Sequence, residues 1–129
     1  HAGIFSDAND LAVMMQLFLN HGTYGGKRYI DSSTVAEFTK CQYCKENRRA
    51  IGFDKPEMNP DKDSPVCSCV SYLSFGHTGF TGTLVWADPE NQLVYIFLSN
   101  RVYPDADENK LAKSGIRTKI QEVIYEAVK

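Results

Sequence analysis

The longest apolar run in the chain, residues 93–98, limits its possible folds more than any other feature. Successive side chains of an extended strand point to opposite faces, so a run that is apolar at every position is apolar on both faces. A strand of that kind normally lies inside a sheet that other elements cover on both sides. The sequence therefore predicts a layered fold in which residues 93–98 form a covered strand.

Two more strands are predicted before this run, at residues 75–80 and 82–87, and the run itself extends to a strand over residues 92–100. The sequence Asp-Pro-Glu-Asn at 88–91 is typical of a turn between the last two strands. Because the connections are short, we expect antiparallel pairing. The predicted fold class is α+β, with an antiparallel three-stranded meander and flanking helices.

Amphipathic patterns predict helices on both sides of the meander. Apolar residues recur at three- and four-residue spacing between Leu11 and Leu19, after Ser6 as a candidate helix cap. Further helices are predicted at about residues 33–40 and about residues 110–128. Three strands with helices can be stable, but the outer strand would have an open edge. The open edge and the covered strand together indicate that other residues complete the sheet.

Residues 41–74 are predicted to form an irregular loop, interrupted by one short strand-like piece at residues 50–54. The loop holds the four cysteines of the chain, which are Cys41, Cys44, Cys67 and Cys69. Zinc binding, one or two disulfides, and free thiols remain open, since the spacing between the two cysteine pairs is only loosely like that of a zinc ribbon. We expect no metal site, and we expect the basic pair Arg48 and Arg49 to be solvated.

Composition and charge exclude several classes of protein. The chain has 129 residues, 43% hydrophobic and 23% charged, which is typical of one globular domain and not of a disordered segment. Its net charge of −2 lacks the basic excess that nucleic-acid binding needs. No apolar run approaches the roughly 20 residues of a membrane span. Because the chain begins with His1 and not with Met, we expect it to be a piece of a longer protein.

Residues 75–83 carry the pattern that most strongly indicates chemistry. Three glycines within seven residues weaken a strand, and a glycine in a strand often marks the close approach of a ligand or another backbone. His77 and Thr78 place a titratable group and a hydroxyl where both could donate hydrogen bonds to an anionic substrate. Two simpler interpretations are a strand histidine that bonds only to backbone, and a β-bulge at Gly79 and Gly82.

Three segments, residues 2–10, 76–82 and 93–104, resemble the C-terminal third of the serine β-lactamase-like hydrolases. That superfamily includes class C β-lactamases, penicillin-binding DD-peptidases and related esterases. Its third catalytic motif, Lys-Thr-Gly in many members and His-x-Gly in others, is the most specific element of the resemblance and reads His77-Thr78-Gly79 here. The cysteine-containing loop matches the superfamily poorly.

The resemblance implies roles for the residues of this segment. His77 and Thr78 would point into the catalytic cleft, and the backbone N–H of Phe80 would be one of two oxyanion-hole donors. Losing such a donor typically lowers the rate by roughly 100- to 1000-fold. The candidate catalytic residues are therefore His77, Thr78, Gly79 and Phe80, and the candidate substrate-binding residues are Thr81, Gly82 and Asn100. No cofactor is implied.

The other two motifs of the superfamily are absent from the chain. Ser-x-x-Lys, which would supply the nucleophile and a base, is not found, and the nearest match is the segment from Ser114 to Arg117. Tyr-x-Asn and Ser-x-Asn are not found either. We therefore expect the nucleophile to lie upstream, and we expect the chain alone to be catalytically inactive because an oxyanion donor without a nucleophile cannot complete the covalent cycle.

The whole chain, residues 1–129, is thus interpreted as a single partial domain. It would be the C-terminal fragment of a hydrolase that performs acyl transfer on an amide or ester, with a cell-wall peptide or a β-lactam as the substrate class. Expected partners are the missing N-terminal part of the domain, a small-molecule or peptide substrate, and further copies of the fragment. The resemblance implies a periplasmic or extracellular parent. A non-catalytic binding or structural module of the same fold and a zinc-stabilised interaction domain are the alternatives.

Overall fold

A computed structural model describes residues 3–128; His1, Ala2 and Lys129 lie outside the described residues. The elements, in chain order, are α1 (Ala8–Leu19), β1 (Thr23–Tyr24), β2 (Lys27–Arg28), α2 (Ser32–Thr39), β3 (Phe75–Thr78), β4 (Leu84–Asp88), β5 (Leu93–Phe97), α3 (Lys110–Ser114) and α4 (Ile116–Ala127). None of the helices within residues 3–128 is both long and apolar enough to cross a membrane.

The larger sheet is an antiparallel meander in the order β3-β4-β5, as predicted. Its register places Trp86 opposite Gly76 on one side and opposite Tyr95 on the other. The strands are shorter than predicted, because residues 79–83 form a turn and β5 ends at Phe97 instead of at residue 100. The α+β fold class is confirmed, with these corrections to the strand ends.

Two apolar clusters cover opposite faces of the sheet. One contains Met15, Leu19, Phe75 and Ala87, so α1 lies against this face. The other contains Val66, Leu84, Trp86 and Tyr95, with Ile124 of α4 packed against them. The prediction that β5 is covered on both faces is confirmed in part: the half-buried Val94 packs on the first cluster and Phe97 on the second, but Leu98 is 41% exposed. The outer edge of β5 pairs with no strand in the described part of the chain.

Two helix ends differ from the prediction. The cap of α1 is Asp7 and not Ser6, because the Asp7 carboxylate accepts hydrogen bonds from the N–H groups of Asn9 (2.8 Å) and Asp10 (3.0 Å). The predicted C-terminal helix is broken at Gly115, which separates α3 from α4.

The buried carboxylate of Asp88, at the end of β4, connects three parts of the fold. It accepts hydrogen bonds from the backbone N–H (2.8 Å) and hydroxyl (2.6 Å) of Ser71, from the hydroxyl of Tyr125 in α4 (2.7 Å) and from the amide of Asn91 (2.9 Å). Burial alone would raise the pKa of Asp88, but the hydrogen bonds from Ser71 and Tyr125 outweigh it and hold that pKa below its usual value. Burial and the Asp88 carboxylate raise the pKa of Tyr125, so its hydroxyl stays a donor.

Residues 41–74 contain no helix and no strand longer than an isolated bridge. The strand-like piece predicted at residues 50–54 is reduced to one bridging residue, Asp54, which pairs with Arg49 on one side and Gly76 on the other. The structure joins Cys41 to Cys44 and Cys67 to Cys69, with Cα–Cα distances of 5.7 and 5.2 Å that suit disulfides. Of the three alternatives for the cysteines, the structure has the disulfides.

Candidate active-site edge

The predicted motif ends in a tight turn between β3 and β4. Gly79 N–H donates to the carbonyl of Thr83 (2.9 Å), and Gly82 N–H donates to the carbonyl of Gly79 (3.0 Å), so Phe80 and Thr81 are the central turn residues. Gly82 has a φ of +94°, a conformation that glycine adopts without steric cost, and it completes a three-residue hairpin loop. The glycines of this segment therefore make a turn, which is why the predicted strands end early.

The N–H of Phe80 faces away from the sheet. Gly76 exchanges both of its backbone hydrogen bonds with Asp54, on the side of β3 opposite β4. The carbonyl of Gly79 accepts the Gly82 N–H inside the turn, and because the C=O and N–H of one trans peptide point in opposite directions, the Phe80 N–H turns to the outer side. Within residues 3–128, the Phe80 N–H has no hydrogen-bond acceptor. It is free to bind an oxygen atom of a ligand.

Two arginines from other elements fix the position of this turn. The backbone N–H of Arg101 donates to the carbonyl of Thr81 (2.9 Å), and its guanidinium lies over the ring of Phe80, 4.5 Å from the centroid. Arg117 of α4 donates to the carbonyl of Gly82 (3.0 Å). The turn is therefore held from two directions, which restricts the orientation of the Phe80 N–H.

A groove of about 360 Å³ runs beside the turn. Ile4 and Ser6, from the segment before α1, lie on one side of it. On the other side it brings together four of the predicted site residues, which are His77, Thr78, Gly79 and Thr81. Gly82 lies in the adjacent turn. The Phe80 side chain is 75% exposed and does not line the groove.

The structure places Asn100 elsewhere. It lies beyond the end of β5 and lines a different cavity, of about 540 Å³, together with Tyr103 and Pro104. The groove beside the turn therefore does not include the Asn100 side chain.

The imidazole of His77 is exposed, and each of its two nitrogens has a neighbour. Nδ1 is 2.7 Å from the carbonyl oxygen of Thr78, and Nε2 is 3.4 Å from a terminal nitrogen of Arg49. The bond to Thr78 agrees with the simpler interpretation of a histidine that bonds to backbone. The same ring also lines the groove, so the two interpretations do not exclude each other.

Sequence reasoning missed Arg49 and Asp54. The Asp54 side chain is 3% exposed, and its carboxylate lies 3.0 Å from Nε of Arg48 and 3.4 Å from a terminal nitrogen of Arg49. The Arg48 and Arg49 side chains remain 31% and 51% exposed, so both keep the expected contact with solvent, but Asp54 also pairs with them, and Arg49 lies beside His77. Arg49 and His77 are 28 residues apart, and no local pattern could have indicated their contact.

Lys55 is a second buried charged group near this edge. Its ammonium donates to the carbonyl of Leu73 (2.8 Å), and burial lowers its pKa to about 8. It lines a separate cavity of about 410 Å³ that also includes Cys41 and Cys44. No group of three or more His, Cys, Asp or Glu side chains in residues 3–128 is arranged to hold a metal ion.

Comparison with known proteins identifies relatives for most of the chain. Two proteins described as D-alanyl-D-alanine carboxypeptidases, from Salmonella typhi and Salmonella newport, are each 39% identical to it over 101 residues, which is 78% of this chain and 23% of each relative. The chain thus spans less than a quarter of the length of these curated relatives.

A solved structure of a β-lactamase from Mycobacterium bovis has a similar fold. Its TM-score is 0.73 at 21% identity, and the match covers 95% of this chain and 44% of that one. Residues 1–117 match the protein family described as Beta-lactamase. Because that match extends over most of the 129 residues, the chain belongs to the β-lactamase family, as its resemblance to the serine β-lactamase-like hydrolases implied.

Proposed function

We propose that this chain is the C-terminal part of a serine hydrolase domain that performs acyl transfer on an amide or ester. The observation that carries the proposal is the N–H of Phe80, which has no acceptor among residues 3–128, in a turn beside the His-Thr-Gly motif of a chain of the β-lactamase family. The described activity of the Salmonella relatives favours a D-alanyl-D-alanine peptide as the substrate class.

The Phe80 N–H is the proposed oxyanion donor. When a nucleophile attacks the substrate carbonyl, negative charge develops on the carbonyl oxygen, and a donor that is already oriented needs no reorganisation to stabilise it. The contacts of Arg101 and Arg117 with the turn support this role because they restrict its backbone. Catalysis in this proposal is therefore shared between residues of this chain and a nucleophile on another segment.

The motif side chains are the proposed substrate-facing groups. His77, Thr78 and Gly79 lie along the groove, and Thr81 reaches it from the turn. Thr81 and Gly82, which belong to the turn, are proposed to bind substrate. Asn100, which lies beyond the end of β5, is proposed to bind substrate as well. Because Asn100 lines a different cavity, its proposed role in substrate binding has less support than those of the other residues.

We further propose that a missing N-terminal part of the same domain supplies the nucleophile and pairs with the free edge of β5. Ile4 is 92% exposed and Phe5 is 100% exposed, which is unusual for large apolar side chains. The missing part would cover them, and in its absence copies of the chain would associate through these surfaces. We also propose a periplasmic or extracellular location of the parent, which agrees with the description of the relatives as D-alanyl-D-alanine carboxypeptidases.

A non-catalytic binding module of the same fold is the second candidate. The absence of Ser-x-x-Lys and Tyr-x-Asn from these 129 residues is the observation that favours it. The two candidates differ in whether a full-length protein containing this chain carries those motifs and turns over an ester.

Two substitutions at one position test the oxyanion role. In the full-length protein, Phe80→Pro removes the N–H and is expected to lower kcat for a p-nitrophenyl ester by roughly 100- to 1000-fold. Phe80→Ala removes the ring but keeps the N–H, so it is the matched control and should lose far less. Equal losses in the two folded variants would contradict the proposed role of the N–H.

A further inference from the structure

The two neighbours of His77 determine which ring nitrogen carries the proton. A backbone carbonyl can only accept a hydrogen bond, and a guanidinium can only donate one. The Thr78 carbonyl lies 2.7 Å from Nδ1, and the Arg49 guanidinium lies 3.4 Å from Nε2. Both contacts are satisfied when the imidazole is neutral, with a proton on Nδ1 and a lone pair on Nε2.

Arg49 is held in place by its surroundings. The same terminal nitrogen that faces His77 lies 3.4 Å from the carboxylate of Asp54. The carbonyl of Arg49 accepts a hydrogen bond from the N–H of Gln42 (3.0 Å), and its backbone bridges to Asp54. Asp54 is in turn paired with Gly76 of β3, in the same strand as His77. The guanidinium is therefore anchored to the strand that carries the imidazole.

We propose that Arg49 is a positioning residue that holds the His77 imidazole as the neutral Nδ1–H tautomer. The Thr78 carbonyl accepts the Nδ1 proton, and Arg49 donates to Nε2. His77 then has no free N–H for a substrate, in contrast to the expectation that it donates a hydrogen bond. The Phe80 N–H and the hydroxyls of Thr78 and Thr81 are among the donors that remain at this edge.

This inference deepens the proposed function. Only the role of His77 in catalysis depends on that function; the tautomer does not. In an acyl-transfer site, a histidine whose Nε2 lone pair faces a guanidinium sets the orientation of the motif and does not serve as a free acid. The tautomer itself is a property of the chain without substrate. It can therefore be measured whether or not the proposed hydrolase activity exists.

Long-range ¹H–¹⁵N correlation NMR of the uniformly ¹⁵N-labelled chain reads the tautomer directly. The spectra are recorded at about pH 9, well above the ordinary histidine pKa of roughly 6.5. The proposal predicts a protonated-type ¹⁵N shift at Nδ1 and an unprotonated-type shift at Nε2. The reverse assignment in the unsubstituted chain would overturn it, and that measurement does not depend on whether any variant folds.

Substitution of Arg49 then tests whether its guanidinium helps to set the His77 tautomer. Arg49→Met is expected to raise the population of the Nε2–H tautomer by about two- to fivefold, a modest factor because the guanidinium is partly exposed. Arg49→Lys, which keeps a donor, should restore part of the unsubstituted pattern. Lys45→Met removes a charge from the same loop and should leave the tautomer unchanged. An unchanged tautomer in folded Arg49→Met would show that Thr78 alone sets it and would overturn the role of Arg49.

Discussion

The carboxylate of Asp88 joins β4, the cysteine-containing loop and α4 through hydrogen bonds. It is completely buried and accepts hydrogen bonds from both Ser71 and Tyr125. A buried charge is stable only when such partners replace the water it has lost. These bonds hold the pKa of Asp88 below its usual value, so the folded state favours the ionised form.

Asp88→Asn is therefore expected to destabilise the fold in a pH-dependent way. Loss of charged hydrogen bonds should lower the free energy of unfolding by about 2–4 kcal/mol at neutral pH. Because the folded pKa lies below the unfolded value of roughly 3.9, the stabilisation is present above that value and disappears as pH falls through the folded pKa. Urea unfolding followed by circular dichroism should show the difference between the two proteins shrinking below about pH 4.

Asp63→Asn provides the matched control for this prediction. Asp63 is exposed, so its substitution should change the free energy of unfolding little at any of these pH values. A difference between the Asp88→Asn variant and the unsubstituted chain that stayed constant down to pH 2 would contradict the assigned pKa shift.

The sequence points to the residues of the candidate site that are contiguous, and it misses those that are distant along the chain. His77, Thr78 and Gly79 form a recognisable motif, and the structure brings them to one groove. Arg49 and Asp54 belong to a loop without periodicity, and they reach β3 through a single bridge at Gly76 that no local pattern encodes. An irregular loop offers no spacing rule from which such a contact could be predicted.

At the scale of elements, β3 packs closely against β4 on one side and is bridged to Asp54 of the cysteine-containing loop on the other. A Cβ atom at Gly76 would collide with the carbonyl oxygen of Val85 and with the ring of Trp86. The sheet at this position accepts only a hydrogen atom. Because Gly76 also pairs with Asp54, the same residue locates the cysteine-containing loop against the strand.

Gly76→Ala is expected to destabilise the chain by about 1–3 kcal/mol or more, since backbone atoms must shift to admit the methyl group. Gly79→Ala is the matched control. There the added Cβ meets only the hydroxyl oxygen of Thr83, which can rotate away, so a smaller loss is expected. Thermal unfolding of both variants measures the difference, and equal losses would contradict the packing described for β3.

Element types were predicted well, and element ends were predicted poorly, for local reasons. The sequence around Phe80 and Gly82 has no strong turn signal, so the predicted strands included both residues and left only Thr81 between them. The apolar stripe after residue 110 continues across Gly115, where the helix breaks. Asp7 and Ser6 are both good helix caps, and only the geometry of the carboxylate distinguishes them.

At the scale of the whole molecule, the chain has a covered sheet and an open edge. Both faces of β5 are packed, yet its outer edge has no partner strand in the described residues. The apolar run predicted the covered faces because burial follows directly from side-chain alternation. The partner of the edge could not be predicted, because the side-chain pattern of a strand does not specify which other strand pairs with it.

The central claim is that this chain supplies an oxyanion wall and the nucleophile comes from elsewhere in the same domain. Intact-protein mass spectrometry after incubation with a chromogenic β-lactam or a p-nitrophenyl ester tests it most directly. The full-length protein is expected to gain the mass of one acyl group, on a serine that peptide mapping places upstream of His1. The 129-residue chain alone is expected to gain none. A covalent acyl adduct on a residue of the isolated chain would contradict the claim.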